Sequence, residues 1–320
     1  MVSGGLRVVF FGTPAFAVPS LEALLASRHA VVAVVTQPDR PRGRGQKVTD
    51  GPVKARAAAA GLPVLQPDRL RDPSFVDALA RVNADLGVVA AYGKLLTDEV
   101  LAIPRLGMIN VHGSLLPRYR GAAPVHRAII EGEGETGVTI MRVVKQLDAG
   151  PMLAKAPRAI GADETSEDVE RDLARVGASL LISVVDAMAA GAVVATPQDD
   201  ALATYAHRLK KEDGLIDWNM SAGRIHNLVR GLHPWPHAFT FRDGQRFIIR
   251  RTHRPDAASA SRHGDEPGTI VAAADEELAV QTGAGAIRIL EIQPEGRRPM
   301  TVREFLSGHH LAPGARFADR

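Results

Sequence analysis

The first 190 residues alternate between short continuous apolar runs and stretches with helical spacing. Continuous runs at residues 6–11, 31–35 and 86–91 predict buried strands, because a strand covered on both faces needs no polar alternation. Between the strands, apolar side chains three or four positions apart, as at residues 75–82, predict helices. Such strands separated by helices are typical of α/β proteins. The pattern therefore predicts a doubly wound, mostly parallel, Rossmann-like sheet over residues 1–190.

The pattern changes after residue 205. Short strand patterns separated by glycine-containing turns occupy residues 238–241, 246–251, 268–272, 278–282 and 286–292. About five such strands predict a small closed β-barrel, of OB-like type, over residues 206–320. Residues 191–205 lack periodicity and include Pro197, so we expect a linker between the two domains there.

Length and composition narrow the class of protein. A chain of 320 residues can hold two cores, and 45% hydrophobic with 23% charged residues is ordinary for a soluble globular protein. The sequence has no cysteine, which excludes disulfides and thiolate metal sites. No apolar run approaches the ~20 residues of a membrane span, and the N-terminus lacks the pattern of a signal peptide. We therefore expect a cytoplasmic protein that has no membrane partner and acts as a monomer.

Residues 107–121 read GMINVHGSLLPRYRG, an apolar strand that ends in a turn rich in glycine and proline. Side chains alternate along a strand, so Asn110 and His112 project from the same face at its carboxyl end. In open parallel sheets that end is where ligands bind. An amide and an imidazole there can donate hydrogen bonds to a developing oxyanion. The two residues alone also allow a simpler interpretation, in which His112 is a hydrogen-bonded core histidine and Asn110 forms the turn.

Asp148 is the third candidate for catalysis. It precedes Gly150-Pro151, so in isolation it could simply form a turn. Together with Asn110 and His112, its carboxylate could instead orient the imidazole or shuttle protons. This set of groups needs no serine or cysteine nucleophile, which suits direct transfer of an acyl group to an external amine.

Two other kinds of chemistry are disfavoured by the sequence. The first strand is followed by Gly12-Thr13-Pro14 rather than by a Gly-x-Gly-x-x-Gly fingerprint, which argues against a nicotinamide cofactor. The histidines do not recur at metal-ligand spacing, so we expect no metal site.

These motifs resemble those of the formyltransferases that use 10-formyltetrahydrofolate. The matching stretches in the first domain are FGTP at 11–14, TQPDRP at 36–41, AYG at 91–93, INVHGSLLP at 109–117, RGAAP at 120–124, ETGVTIM at 135–141 and LDAG at 147–150. In the second domain IDW at 216–218 and PWP at 234–236 also match, so the resemblance covers nearly all of the chain. It implies transfer of a formyl group from 10-formyltetrahydrofolate to the α-amino group of methionyl-initiator-tRNA.

The resemblance also implies roles for particular residues. Asn110 and His112 would stabilise the oxyanion formed when the methionyl amine attacks the formyl carbon. Asp148 would hold His112 and pass the proton, directly or through water, towards N10 of the folate. The residues implied to line or adjoin the folate site are Tyr92, Gly93, Ser114, Leu115, Leu116 and Pro117.

Cations are concentrated between residues 40 and 56, where Asp50 is the only acid. The residues expected from the resemblance to bind tRNA are Arg40, Arg42, Arg44 and Lys47 in this loop and Lys210 and Lys211 in the second domain. Arginine and lysine contacts to phosphates would give a salt-sensitive affinity. A loop of this composition is more commonly a solvated loop without a partner. Its glycine and proline framework, set between apolar strands, favours a loop held out for a partner.

Three other functions are compatible with the sequence. A formyltransferase acting on a small amine, such as a nucleotide-linked amino sugar, uses the same chemistry but needs no second surface for nucleic acid. A hydrolase of 10-formyltetrahydrofolate with a regulatory barrel would position water rather than an amine against Asn110. A non-enzymatic RNA-binding module would leave Asn110, His112 and Asp148 unexplained.

Overall fold

The structure, a computed structural model, describes residues 4–39, 41–42, 47–253 and 266–318, with only the backbone at 41–42 and 47–48. Two compact units are built from interleaved segments of the chain. The described parts of Met1–Pro124, Thr136–Arg158 and Glu170–Ala206 form the first unit. Those of Val125–Glu135, Ala159–Val169 and His207–Arg320 form the second. The division into continuous domains 1–190 and 206–320, with a linker at 191–205, stays a prediction.

The elements before residue 207 include those predicted from the continuous apolar runs and the helical spacing. The strands are β1 (Arg7–Gly12), β2 (Ala30–Val35), β3 (Pro41–Arg42), β4 (Lys47–Val48), β5 (Val64–Leu65), β6 (Leu86–Ala90), β7 (Met108–His112), β8 (Arg120–Gly121), β9 (Glu135–Arg142), β10 (Met152–Ala159) and β11 (Tyr205–Ala206). The helices are α1 (Val18–Ala26), α2 (Pro52–Ala59), α3 (Pro73–Arg81), α4 (Asp98–Ala102), α5 (Pro124–Ile130) and α6 (Ser166–Ala189). The strand runs and the helix at 75–82 are confirmed as β1, β2, β6 and α3, with ends shifted by one or two residues.

The first unit contains a seven-stranded sheet in the order β10-β9-β7-β6-β1-β2-β5. β1 pairs in parallel with β2 and β6, β2 with β5, and β6 with β7. β7 pairs antiparallel with β9. The mostly parallel α/β sheet predicted from the hydrophobic pattern is therefore confirmed. β7, which carries Asn110 and His112, lies where the parallel part of the sheet meets the antiparallel part.

Both faces of this sheet are covered, which explains the continuous apolar runs. Residues 8–11 of β1 are fully buried, so neither face of this strand reaches solvent. On one face Val9 and Phe11 share a cluster with Phe75 and Leu79 of α3. Burial of each large apolar side chain contributes about 1.5–3 kcal/mol, so these contacts hold β1 firmly between β6 and β2.

The second unit contains an antiparallel sheet. Its elements are α7 (Ala222–Gly231), β12 (Ala238–Arg242), β13 (Gln245–His253), β14 (Ile270–Ala274), β15 (Glu277–Gln281), β16 (Ala286–Pro294), β17 (Met300–Thr301) and α8 (Val302–Gly308). The strand order is β12-β13-β16-β15-β14, and β17 pairs with β16. Every pairing along this path is antiparallel, so the predicted change to an antiparallel β domain is confirmed.

The end of the described chain joins the two edge strands of this sheet. Phe241 of β12 exchanges backbone hydrogen bonds of 3.0 and 2.8 Å with Ala318. Ile270, at the start of β14, donates to the carbonyl of Ala315 at 2.7 Å. One segment therefore covers both edges, as a closed barrel requires. The OB-like type of the barrel stays a prediction.

The hydrophobic pattern does not predict α8. This helix begins at a capping box, in which the Thr301 hydroxyl accepts from the Glu304 N–H at 3.3 Å and the Glu304 carboxylate accepts from the Thr301 N–H at 2.9 Å. The Thr-x-x-Glu spacing is a sequence signal for a helix start. Among the helices of the described ranges, none is long and apolar enough to cross a membrane.

His237 connects the loop before β12 to β13. Its Nε2 lies 3.2 Å from a terminal nitrogen of Arg250, and its φ is 67°. A guanidinium can only donate, so the imidazole accepts and fits this position in its neutral form. Burial lowers the pKa of His237 to about 4, and the charge of Arg250 acts in the same direction.

We expect the protein to lose stability as the pH falls from about 6.5 to about 4. Histidine has an ordinary pKa of 6.5 in an unfolded chain, whereas that of folded His237 is about 4. Between these values the unfolded chain binds a proton that the folded chain does not, so protonation favours unfolding. Thermal unfolding followed by circular dichroism across this pH range measures the slope.

His237→Asn should flatten that slope, because asparagine tolerates a positive φ and does not titrate. His310→Asn, at an exposed position, controls for the loss of a histidine elsewhere. If His237→Asn kept the full slope, the acid sensitivity would have to come from another group.

Candidate active site

β7 presents Asn110 and His112 on one face at its carboxyl end. Asn110 pairs with Val89 of β6 and with Met141 of β9. Its side chain is half-buried, and its amide makes no hydrogen bond to any residue that the structure describes. Two N–H donors of Asn110 are therefore available to a ligand.

The His112 ring lies between two partners, and only 5% of the residue is exposed. Nε2 lies 3.0 Å from the carbonyl oxygen of Tyr119, and Nδ1 lies 3.7 Å from Oδ2 of Asp148. A carbonyl oxygen can only accept, so Nε2 carries the hydrogen in this arrangement. The neutral ring then presents a lone pair at Nδ1. Protonation there would place a charged N–H opposite the carboxylate.

Asp148 lies in the loop between β9 and β10, with a positive φ of 48°. Its Oδ2 accepts a 2.9 Å hydrogen bond from the backbone N–H of Gly121, and its side chain is 12% exposed. The structure thus brings the carboxylate, predicted from a distant part of the sequence, to the free nitrogen of His112.

Sequence reasoning misses the residues that hold His112 and Asp148 in place. Tyr119 and Gly121 provide a backbone carbonyl and a backbone N–H, and Gln198 donates to the carbonyl of Asp148 at 2.8 Å. Tyr119 and Gly121 flank or belong to β8, a strand of two residues that leaves no periodic pattern in the sequence. Gln198 is a polar residue in a segment without periodicity, so no sequence signal distinguishes it.

The segment of residues 114–117 folds against β9 and β10. The Ser114 hydroxyl donates to the carbonyl of Arg118 at 2.7 Å, and the Leu116 N–H donates to the Thr139 hydroxyl at 3.1 Å. Lys155 donates to the carbonyl of Leu116. Ser114 and Leu116 are therefore buried anchors, whereas Leu115 and Pro117 are half-buried and remain available to a ligand.

Gly137 of β9 makes room for this segment. A Cβ at this position would lie 2.5 Å from a methyl carbon of Leu115 and 2.3 Å from the carbonyl oxygen of Ala156. Any side chain there would push Leu115 out of its place. Burial also lowers the pKa of Lys155, whose ammonium group meets the neutral carbonyl of Leu116.

Tyr92 and Gly93 occupy different environments. The Tyr92 ring belongs to the apolar cluster that also contains Phe75 and Leu79 of α3, and it meets the Phe11 ring edge-on with ring centroids 5.5 Å apart. Burial raises the pKa of Tyr92 to about 12, and its hydroxyl has no hydrogen-bond partner among the described residues. Gly93 has a φ of 81°, and a Cβ there would lie 2.8 Å from Nε2 of Gln37. The Tyr92 side chain therefore lies in the core, and glycine at position 93 allows the backbone turn that follows it.

The residues expected to bind tRNA are only partly described. Arg40 and Arg44 lie outside the described residues. Arg42 and Lys47 pair through their backbones, as the ends of β3 and β4. Lys210 and Lys211 are exposed in the second unit, at the start of a 3₁₀ turn. Across the described ranges, no cluster of histidine and acidic side chains has the arrangement of a metal site.

Two family models match the chain. The model described as formyl transferase matches residues 6–185, and the formyl transferase C-terminal domain matches residues 208–310. A methionyl-tRNA formyltransferase of Moorella thermoacetica is 45% identical over 309 residues, covering 97% of this chain and 98% of that protein. A methionyl-tRNA formyltransferase of Caldanaerobacter subterraneus subsp. tengcongensis is 47% identical over 310 residues, covering 97% and 99%.

Solved structures share the fold at low sequence identity. An N-formyltransferase from Helicobacter canadensis, in complex with folinic acid and dTDP-3-aminofucose, has a TM-score of 0.66 at 17% identity, over 90% of this chain and 99% of that one. HypX from Aquifex aeolicus, in complex with tetrahydrofolic acid, has a TM-score of 0.64 at 16% identity, over 95% of this chain and 47% of that longer one. With both family models matched and relatives of this identity over nearly its full length, the chain belongs to the formyltransferase family.

Proposed function

We propose that this chain transfers the formyl group of 10-formyltetrahydrofolate to the α-amino group of methionyl-initiator-tRNA. Near-full-length similarity to methionyl-tRNA formyltransferases supports the choice of substrate. The observation that carries the chemistry is the free Asn110 amide beside the His112–Asp148 pair at the carboxyl end of β7. A donor without a protein partner, next to an imidazole and a carboxylate, suits attack of an amine on a carbonyl carbon.

Asn110 is the proposed oxyanion donor. Its N–H groups face no acceptor among the described residues, so they are free for the formyl oxygen as negative charge develops there. In the neutral His112 ring the single N–H is already donated to Tyr119. His112 can therefore donate to an oxyanion only when Nδ1 is also protonated, and Asn110 is the donor that is present in either state.

His112 is the proposed site of proton transfer. With Nε2–H committed to a carbonyl, Nδ1 is the nitrogen that can accept a proton from the attacking amine. Asp148, 3.7 Å from Nδ1, would stabilise the imidazolium that results. The same proton would then pass to N10 of the folate as its bond to the formyl carbon breaks. The Gly121 N–H bonded to Oδ2 keeps the carboxylate turned towards the ring.

The residues around this centre fit a folate as formyl donor. The donor supplies an activated formyl group, and the chain's residues bind, orient and exchange protons with it. Half-buried Leu115 and Pro117 offer apolar surface in the segment that follows β7, and the anchors Ser114 and Leu116 keep that surface fixed. Apolar walls with one or two placed polar groups are typical of sites for small molecules.

A small amine such as a nucleotide-linked amino sugar is the alternative acceptor. The similarity to the Helicobacter canadensis enzyme, at 17% identity, supports a common fold alone. The similarity to methionyl-tRNA formyltransferases at 45–47% extends over both units, including the antiparallel sheet of the second. The tRNA substrate is therefore favoured.

Incubation with 10-formyltetrahydrofolate and methionyl-tRNA should yield formylmethionine after deacylation. A nucleotide-linked amino sugar offered with the same donor should be formylated far more slowly, because the binding energy of the tRNA is what positions its amine. Efficient formylation of the sugar with none of methionyl-tRNA would refute the proposed substrate. Release of formate while both acceptors stay unmodified would instead indicate a hydrolase.

Asn110→Ala and Asn110→Asp should each lower kcat by about 100- to 1,000-fold, the usual effect of removing one preorganised oxyanion donor. The aspartate variant keeps the size of the side chain but replaces donors with an acceptor, so it tests the hydrogen bond rather than the volume. Asn83→Asp, at an exposed position of the first unit whose side-chain amide makes no hydrogen bond to a described residue, is the matched control. Near-normal kcat in a folded Asn110→Asp variant would exclude the proposed role.

Neutralising Arg40, Arg42, Arg44 and Lys47 together by glutamine should raise KM for methionyl-tRNA and flatten its salt dependence. Each lost phosphate contact reduces the slope of log affinity against log salt by roughly one unit. KM for the folate should stay near that of the parent chain. The control is glutamine at four exposed arginines of the first unit, Arg69, Arg71, Arg81 and Arg175. Equal changes of KM for methionyl-tRNA in the loop variant and in the control variant would mean that overall charge, rather than the loop, governs tRNA use.

A further inference from the structure

Residues 196–206 follow α6 in a segment that lacks the periodicity of a helix or strand. The segment is tied to the first unit at both ends, since Thr196 exchanges two 2.8 Å backbone hydrogen bonds with Met152 and β11 pairs in parallel with β8. Between these ends it contacts both loops that orient the reactive groups. A passive linker would need none of these contacts.

The far end of this segment fixes the backbone around β8. The Tyr119 N–H donates to the Thr204 hydroxyl at 2.8 Å, and the Arg120 N–H donates to the Thr204 carbonyl at 2.8 Å. These bonds hold the Tyr119 carbonyl that accepts from His112 and, one residue beyond Arg120, the Gly121 N–H that donates to Asp148.

Gln198 holds the other loop. Its Nε2 donates to the carbonyl oxygens of Asp148 and Gly150, both at 2.8 Å. Both amide hydrogens of Gln198 are thereby used on the backbone of the residues that surround the reactive carboxylate. Asp148 has a positive φ, a conformation that a non-glycine residue keeps only when its surroundings enforce it.

Arg120 sets the orientation of the Gln198 amide. Its Nε donates to Oε1 of Gln198 at 3.0 Å, and a terminal nitrogen donates to Asp200 at 2.6 Å. A guanidinium offers only donors, so the oxygen of the amide must face Arg120 and the nitrogen must face the loop. The Arg120 side chain is 4% exposed, which makes this orientation difficult to relax.

We propose that Gln198, oriented by Arg120, is a positioning residue for formyl transfer: it holds the loop of residues 148–150 so that the Asp148 carboxylate faces Nδ1 of His112. The inference rests on the proposed function and extends it to a residue that touches neither substrate. Gln198 acts only through Asp148, which distinguishes it from the three residues of the reactive centre.

Gln198→Ala should lower kcat by about 10- to 100-fold, because a small misplacement of a reactive group has an effect of that size. KM for the folate should stay near that of the parent chain, since its proposed contacts lie at residues 114–117. Gln198→Glu keeps an acceptor for Arg120 but turns a carboxylate towards two carbonyls, so its kcat should fall at least as far. The matched control is Gln146→Ala, two positions before Asp148. The Gln146 side chain is exposed and makes no hydrogen bond to a described residue.

A double-mutant cycle tests whether Gln198 acts through Asp148. In an Asp148→Asn background, measured by single-turnover formyl transfer, Gln198→Ala should cause little further loss, because the carboxylate that it positions is already gone. The same fold loss in both backgrounds, or parent-like kcat in Gln198→Ala, would overturn the proposal. If the thermal unfolding midpoint shows that Gln198→Ala is not folded, the double-mutant cycle is measured with Gln198→Glu instead. Absence of formyl transfer by the parent chain would refute the proposed function instead.

Discussion

The hydrogen bond from Nε2 of His112 to the carbonyl oxygen of Tyr119, 3.0 Å long, is the constraint on which the reactive centre depends. It assigns the single hydrogen of the neutral imidazole to the side of the ring that faces the protein. Nδ1 is left to face Asp148. In the proposed reaction the Asn110 amide donates to the developing charge, and Nδ1 of His112 exchanges a proton.

The backbone that provides this bond is held in an unfavourable conformation. Tyr119 and Asp148 both have positive φ values, 61° and 48°. Such conformations cost about 1–3 kcal/mol each and persist only where the surrounding structure enforces them. Thr204 and Gln198 supply those surroundings. Gly121 allows β11 to approach, because a Cβ there would lie 2.7 Å from the carbonyl oxygen of Ala206. The strained loops and the segment of residues 196–206 therefore stabilise one another, and all of them belong to the first unit.

Much of the fold follows from local patterns. The continuous apolar run of β1 and the spacing of α3 predict their elements because burial on both faces, or on one helical face, selects the residue type at each position. Alternation along β7 puts Asn110 and His112 on one face, and the capping box at Thr301 marks the start of α8. Two-residue strands such as β8 and β11 carry no period, so their pairing is not readable from sequence.

The sequence by itself determined that a mostly parallel α/β sheet precedes a domain of short strands, and which side chains lie at the end of β7. Periodicity and side-chain type are local properties of the chain. Asp148 joined that set as a carboxylate that could orient the imidazole, and the resemblance of the motifs implied its role in proton transfer. Only the tertiary structure decided that Tyr92 lies in the core with Phe11, that Nδ1 of His112 faces Asp148, and that Gln198 holds the loop of Asp148. Each of these depends on hydrogen bonds or packing between residues far apart in the chain, and such contacts are fixed by the closing of the fold rather than by any local pattern.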